Sequence, residues 1–152
     1  MNSKTLVTAV FLLLVSTSMA KITVNGTDSC AGDIADAIGD VVSASLKIGS
    51  AAVDCASFNA GKCVSDIAAV AKDLSSAAGS INSALTACGG RGSACLGALA
   101  NLSKEIAATA GEVSSLLKAC QSNIFQCVGD IAKVAGDISN VVKDAKAVSA
   151  KC

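Results

Sequence analysis

The spacing of the cysteines constrains the fold of this chain more than any other feature. Eight cysteines occur in 152 residues, and neighbouring cysteines are separated alternately by 25 and by 7 or 8 positions. The four long intervals are Cys30–Cys55, Cys63–Cys88, Cys95–Cys120 and Cys127–Cys152. Such a nearly constant period between successive opening cysteines is the signature of an internal repeat. The chain therefore contains four copies of one cysteine-flanked segment.

Apolar residues recur at helical spacing inside the copies. Counted from the first cysteine, the row occupies positions 0, 4, 7, 11, 14, 18, 21 and 25. In the fourth copy this row reads Cys127, Ile131, Val134, Ile138, Val141, Ala145, Val148 and Cys152. Alternating steps of four and three place residues on one face of an α-helix, whereas a strand needs a step of two. We therefore predict four helices, each about 39 Å long at 1.5 Å per residue.

Small apolar residues at positions 1, 5, 8 and 15 widen this face beyond a coiled-coil seam, as a bundle helix requires. Position 5 is alanine in every copy, and its lack of bulk predicts a close approach of neighbouring backbones. These alanines are Ala35, Ala68, Ala100 and Ala132. We expect Asp33, Asp66 and Asp130 in the first turns of their helices, where the helix dipole favours negative charge.

The segments between the copies are short. The predicted connections are Ala56–Lys62, Gly89–Ala94 and Gln121–Gln126. The pair Gly89-Gly90 follows Cys88 directly and is a helix stop signal. Connections of this length make consecutive helices antiparallel. The predicted fold is all-α, with four antiparallel cysteine-flanked helices forming either an up-down bundle or two tandem disulfide-clamped αα-hairpins.

The start of the chain, residues 1–20, has the organisation of a secretory signal peptide. Lys4 gives a positive start, an apolar run extends from Leu6 to Val15, and Ser18–Ala20 forms a small-x-small cleavage site. The run is shorter than the roughly 20 apolar residues of a membrane-spanning helix. We predict a signal peptide at residues 1–20, an N-terminal segment at 21–29 and a repeat domain at 30–152. The protein is then secreted, and an uncleaved membrane anchor is the alternative.

An even number of cysteines behind a signal peptide predicts four disulfides. The two cysteines of one copy are too distant to pair, because a disulfide joins Cα atoms about 5.5 Å apart. Antiparallel helices gather the cysteines into two end sets, which are Cys30, Cys88, Cys95 and Cys152, and Cys55, Cys63, Cys120 and Cys127. Three pairings within each set give nine combinations. The favoured one is Cys30–Cys88, Cys55–Cys63, Cys95–Cys152 and Cys120–Cys127, and the main rival joins Cys30 to Cys152 and Cys88 to Cys95.

The residues argue against several classes of function. Six or seven residues separate the close cysteine pairs, whereas zinc sites use two to four, so no metal site is predicted. No histidine is present to activate a cysteine, and no phosphate-binding motif occurs, so we expect neither catalysis nor a cofactor.

Residues after position 20 carry 12 acidic and 11 basic side chains (12 less Lys4) without a basic patch. Nucleic acid is therefore not an expected partner. No later segment is apolar enough to span a membrane.

A few residues are candidates for contact or modification. Phe58 and Phe125 lie in connections at the same predicted end of the bundle, where they either form a contact surface or plug the bundle end. Asn25 and Asn101 begin glycosylation sequons. An acidic residue lies ten positions after the first cysteine of each copy. Together the four residues either form a row that binds cations or lie on a solvated helix face. These residues are Asp40, Asp73, Glu105 and Asp137.

Three copies carry Asp-Ile-Ala after their opening cysteine, at Asp33–Ala35, Asp66–Ala68 and Asp130–Ala132. Over residues 30–152 the chain resembles secreted cysteine–helix repeat proteins of dinoflagellates. The resemblance implies a secreted helical repeat and no particular activity.

Two functions fit these features. The first is a secreted structural or protein-interaction module that binds a protein or cell-surface partner. The second is a carrier of a small apolar ligand, a lipid or pigment, in the core of the helix bundle, in keeping with a mean hydropathy of +0.60. Direct action on membranes is a third interpretation, which the staples oppose because the helices would have to separate.

The intact mass of the secreted protein tests the predicted processing. We expect the mass of Lys21–Cys152 less about eight hydrogens, because each of four disulfides removes two. Treatment with a peptide N-glycosidase before the measurement separates any glycan at the two sequons from the chain. A mass that includes residues 1–20 would contradict cleavage after Ala20.

Overall fold

A computed structural model describes residues 29–152. The predicted signal peptide at residues 1–20 and the predicted N-terminal segment at 21–29, including the sequon asparagine Asn25, lie outside the described residues except for Ser29. The described chain contains four helices and no strand. They are α1 (Ser29–Ala56), α2 (Ala60–Ala87), α3 (Ser93–Ser122) and α4 (Ile124–Lys151). The all-α prediction is confirmed.

The apolar row predicted from the spacing lies in the core of each helix. All of its residues in α1, α2 and α3 are buried, and in α4 only Cys152, just beyond the helix end, is half-buried. Thr109 takes an apolar position in the third copy and is only 2 % exposed. Residues at positions 1, 8 and 15 flank the row and are buried or half-buried in every copy, as predicted.

The prediction for the position 5 alanines is wrong. Ala35 and its counterparts are exposed in all four helices, so they do not mediate close helix contacts. At 100° per residue, position 5 lies about 140° around the helix from position 0, farther than positions 1, 8 and 15, which lie at about 100°, 80° and 60°. That rotation carries it to the solvent side, while positions 1, 8 and 15 remain on the flank that a neighbouring helix covers.

Four disulfides fix the directions of the helices. They are Cys30–Cys88, Cys55–Cys63, Cys95–Cys152 and Cys120–Cys127, with Cα atoms 4.9, 4.7, 4.8 and 4.5 Å apart. This is the pairing favoured from the sequence, and no described cysteine is free. In each hairpin one bond joins the start of the first helix to the end of the second, and the other joins the end of the first to the start of the second. The helices α1 and α2 therefore form one antiparallel hairpin, and α3 and α4 form another.

The two hairpins share their core. Two clusters of buried apolar side chains occupy successive levels of the helices, and each cluster draws residues from all four. In the first, Ile34 and Ile81 belong to one hairpin and Leu99 and Val148 to the other. Contacts of α1 with α4 and of α2 with α3 close the arrangement. The hairpins therefore pack against each other as one four-helix bundle.

The helices start earlier than predicted, and the connections are shorter. Asn59 accepts a hydrogen bond from Lys62 N (3.4 Å), and Asn123 accepts one from Phe125 N (3.0 Å), so each caps the helix that follows. The connection before α4 is the single residue Asn123. As a result the first turns of the described helices contain no acidic residue. The placement of Asp33, Asp66 and Asp130 in first turns is wrong.

The connection between α2 and α3 closes the end of the bundle opposite to the two asparagine caps. Gly89 and Gly90 follow Cys88, the residue that ends α2, in agreement with the predicted stop. Gly92 has a φ of 92°, which a residue with a side chain rarely adopts. Arg91 Nη1 donates a hydrogen bond to the main-chain oxygen of Cys152 at 2.9 Å and so ties this connection to the end of α4.

Removing single disulfides should destabilise the bundle according to loop length. Cys30–Cys88 spans 58 residues and Cys55–Cys63 spans 8. By chain entropy these bonds contribute about 4 and about 2.5 kcal/mol respectively. We expect Cys30→Ala/Cys88→Ala to lower the urea midpoint more than Cys55→Ala/Cys63→Ala.

The second hairpin repeats this comparison. Its bonds span 57 and 7 residues, so Cys95→Ala/Cys152→Ala should also be more damaging than Cys120→Ala/Cys127→Ala. Equal losses for the long and short loops in both hairpins would show that local packing, rather than loop closure, determines the contribution of each bond.

Candidate functional site

The two phenylalanines predicted as contact candidates meet on the surface. Phe58 lies between α1 and α2, and Phe125 lies in the first turn of α4 rather than in a connection. Their ring centroids are 5.3 Å apart with a tilt of 56°, a geometry typical of favourable aromatic pairs. Phe58 is 50 % exposed and Phe125 is 74 % exposed. The rings therefore do not plug the bundle end, and that interpretation is wrong.

The backbone holds Phe58 in a conformation that bulky residues rarely adopt. Its φ is +57°, which costs an L-residue roughly 1–2 kcal/mol. Phe58 N donates to the Cys55 carbonyl oxygen at 3.1 Å, and Asn59 N donates to the Asp54 carbonyl oxygen at 3.0 Å. These bonds fold the chain back directly after α1. The Asn123 cap, two residues before Phe125, fixes the backbone that carries the second ring.

Four cysteines belong to the same end of the bundle. Cys55 and Cys63 flank the connection that carries Phe58, and Cys120 and Cys127 flank the connection before Phe125. We call the region formed by these two phenylalanines and four cysteines the aromatic end. Beneath the surface Cys63 Sγ contacts Cys127 Sγ at 3.5 Å, and both residues are fully buried. Disulfide sulfurs have no hydrogen, so this is a van der Waals contact.

The sequence did not indicate that contact, because the two cysteines belong to different hairpins and are 64 residues apart. The Sγ atoms of Cys55, Cys63 and Cys127 lie within 4.8 Å of one another, close enough for ligands of one metal ion. Each of them is bonded in a disulfide, whereas metal ions bind the thiolate form. In the oxidised protein the three sulfurs therefore belong to two structural disulfides, Cys55–Cys63 and Cys120–Cys127.

The acidic residues at position 10 are half-buried at the edges of the hairpin interfaces. In the first hairpin, Lys47 Nζ forms an ion pair with Asp73 at 2.8 Å. Burial, followed by the nearby carboxylate of Asp73, raises the pKa of Asp40. In the first hairpin the position 10 acids therefore belong to a mixed cluster with Lys47. This cluster explains their placement better than a cation site does.

The second hairpin carries a glutamate where the first carries a lysine. Counted from the opening cysteine of each hairpin, Cys95 or Cys30, Glu112 occupies the same position as Lys47. A hydrogen bond with Glu112, together with burial, raises the pKa of Asp137. The same hydrogen bond and the charge of Lys133, 3.6 Å away, lower the pKa of Glu112. The two carboxyl groups therefore influence each other, and their interaction favours the protonated form of Asp137 and the ionised form of Glu112.

A groove of about 410 Å³ borders this carboxyl pair on the outer face of α3 and α4. Three of its side chains are charged, namely Glu112, Asp130 and Lys133. The other lining residues are Ala108, Gly111, Ser115, Leu116, Ala119, Gln126 and Val134. Its volume lies in the range of small-molecule sites, and its mixed lining suits an amphipathic ligand better than a purely apolar one.

The second sequon asparagine, Asn101, is exposed on α3. Its side chain is accessible, although acceptor sequons are typical of surface loops rather than helices. Glycosylation at this residue stays a prediction.

None of the helices within residues 29–152 has a stretch long and apolar enough to cross a bilayer. No protein-family model matches the sequence, and no match was found among curated proteins or solved structures. The resemblance to dinoflagellate repeat proteins stays a prediction.

The carboxyl pair predicts a stabilising substitution. The folded state raises the pKa of Asp137, so its contribution to stability is complete below the ordinary pKa of 3.8 and is lost as the pH rises through the folded pKa. Asp137→Asn stays neutral and can donate an amide hydrogen to Glu112. We expect Tm to rise by about 2–4 °C at pH 7, and the difference from the wild type to vanish below pH 3.8.

Asp73→Asn is the matched control, because Asp73 occupies the same position in the other hairpin but is paired with Lys47. Its substitution should leave Tm unchanged or lower it at pH 7. An equal rise in both variants would attribute the effect to the general loss of a negative charge instead of to the carboxyl pair.

Proposed function

We propose that this protein is a secreted, non-enzymatic interaction module whose aromatic end binds a protein or cell-surface partner. The observation that carries the proposal is the exposed pair of Phe58 and Phe125 on a surface with few other large apolar side chains. Besides these two rings, the large exposed apolar side chains in the described residues are Leu46 and Val53.

The cost of the aromatic pair supports a role in binding. Phe58 keeps an unfavourable positive φ while half of its surface remains in water. Strain of this kind concentrates at functional sites, where the surrounding structure enforces it. Half of the ring surface stays in water despite the contact with Phe125, and a partner that buries this surface would account for the strain.

The chemistry of the pair suits the centre of an interface. Aromatic residues are enriched among the few residues that contribute most of the binding energy of interfaces. Burial of a whole phenylalanine side chain is worth roughly 1.5–3 kcal/mol. Because Phe125 is 74 % exposed, a partner can still gain most of that energy from it. The disulfides beneath the rings limit the conformational entropy lost on binding.

Secretion is the second part of the proposal. Four disulfides in a chain of 152 residues are typical of an oxidising compartment, and the composition of residues 1–20 is that of a signal peptide. An extracellular module also benefits from staples at both ends of each hairpin, because they restrict the unfolded chain and so oppose unfolding where proteases are present.

The carrier function is the second candidate, and the groove between α3 and α4 is the observation that favours it. A ligand in the bundle core is less well supported, because the core residues are almost all fully buried and both hairpins are clamped. A ligand of the groove would have to satisfy Glu112, Asp130 and Lys133. Such a ligand is amphipathic rather than a simple lipid tail.

Cross-linking in native extracellular medium tests the proposal. A photo-reactive residue introduced at Gln126, beside Phe125, should capture a partner when Phe58 and Phe125 are left unchanged. In the same background, Phe58→Ser/Phe125→Ser should reduce capture at least tenfold, the loss expected from about 1.4 kcal/mol of binding energy. Leu46→Ser, which removes an exposed apolar side chain elsewhere on α1, is the matched control and should leave capture unchanged.

Stability measurements separate binding from structure. Phe58→Gly relieves the positive φ and should keep Tm within about 4 °C of the wild type, whereas Phe58→Ala keeps the backbone cost and should be less stable than Phe58→Gly. A large loss of stability in Phe58→Gly would show that the ring is structural. Equal capture by the wild type and the double serine variant would refute the aromatic end as the binding surface.

A further inference from the structure

The contact between two disulfides at the aromatic end has chemical consequences. Cys63 Sγ, bonded to Cys55, lies 3.5 Å from Cys127 Sγ, which is bonded to Cys120. Disulfides exchange when a thiolate attacks a sulfur of a neighbouring disulfide. At this distance the attacking and attacked atoms are already in van der Waals contact.

The two contacting sulfurs occupy equivalent places. Cys63 is the fourth residue of α2 and Cys127 is the fourth residue of α4, so both lie where the helix dipole favours a thiolate. Cys55 and Cys120 lie near the ends of α1 and α3. Cys63 and Cys127 therefore combine direct contact of their sulfurs with the helix positions that better stabilise a thiolate.

We infer that the aromatic end is a thiol–disulfide exchange site that can convert two bonds within the hairpins into one bond between them. During a local opening of this end of the bundle, a dithiol reductant first gives its two electrons to Cys55–Cys63, becomes a disulfide itself and leaves two thiols. The Cys63 thiolate then attacks Cys127 Sγ. The Cys63–Cys127 bond forms, the Cys120–Cys127 bond breaks, and Cys120 leaves as a thiolate that takes up the proton lost from Cys63.

The product differs from the starting protein in its connectivity. All four disulfides of the structure lie within a hairpin, so none joins α1 and α2 to α3 and α4. After exchange, Cys63–Cys127 links α2 covalently to α4, and Cys55 and Cys120 are free. A mild two-electron reduction thus joins the hairpins at the aromatic end instead of releasing them.

Burial favours the internal reaction over competing ones. Cys55, Cys63 and Cys127 are 0 % exposed and Cys120 is 4 % exposed. A thiolate formed there is shielded from external disulfides, while its neighbour is held in contact. Reactions between groups positioned in this way have effective concentrations far above those of solutes.

Single substitutions test the exchange without any reductant. In the full-length Cys55→Ala variant Cys63 has no partner, so its thiolate should attack Cys127 and release Cys120. Alkylation under denaturing acidic quench, followed by proteolysis without reduction, should find a peptide joined through Cys63–Cys127 and the label on Cys120. In Cys120→Ala the same joined peptide should appear, with the label on Cys55.

Two further variants keep the test decisive. Cys55→Ala/Cys63→Ala has no unpaired thiol, and labelling of Cys120 there should be at least tenfold lower than in Cys55→Ala. Cys55→Ala/Cys120→Ala leaves only the contacting pair at this end and should form Cys63–Cys127 on air oxidation with retention of helical circular dichroism.

The inference is overturned if the label in Cys55→Ala stays on Cys63 with Cys120–Cys127 intact. It is equally overturned by a Cys63–Cys120 bond, which would mean attack on the wrong sulfur, or by failure of the folded double variant to form Cys63–Cys127. These outcomes do not depend on partner binding, so they leave the proposed interaction function to its own test.

Discussion

The disulfide at each end of each hairpin is the constraint on which the rest of the structure depends. The helices are rich in alanine, serine and glycine, so each buried side chain removes little apolar area from water, and the helical propensity of the segments is modest. Helices of this kind need tertiary partners to be stable. The bonds Cys30–Cys88 and Cys55–Cys63 bring α1 against α2 at both ends, and the row of core residues between them then meets in register.

The same staples explain why the two ends of the bundle differ. At the end containing Arg91, the connection is tied to the main chain of Cys152 and presents no large exposed apolar side chain. At the aromatic end the connections are short, so Phe58 and Phe125 cannot fold back into the core. Tight connections over buried disulfides thus leave two rings on the surface and two disulfides in contact below them. The proposed binding surface and the proposed exchange site arise from one geometric cause.

The two hairpins also show how a repeated scaffold diverges at its edges. The core row stays apolar in all four copies except at Thr109, because all of its positions but Cys152 are buried. The flanking edge is half-buried, so charge can vary there: Lys47 forms an ion pair with Asp73, and Glu112 in the corresponding place raises the pKa of Asp137. The groove with mixed charge lies beside that second pair. Differences between equivalent positions therefore mark where the chain is adapted, whereas the common positions describe only its fold.

The sequence by itself determined the helices and their core row through local periodicity, and the short reach of a disulfide limited the eight cysteines to nine pairings. Only the tertiary structure selected the favoured pairing among them. It misplaced the helix starts, since the caps at Asn59 and Asn123 extend the helices into the connections. Only the tertiary structure decided that the position 5 alanines face solvent, that the two phenylalanine rings touch, and that Cys63 meets Cys127 across the hairpins. Those features depend on how four helices rotate and pack around a common core, and no spacing within a single helix encodes that packing.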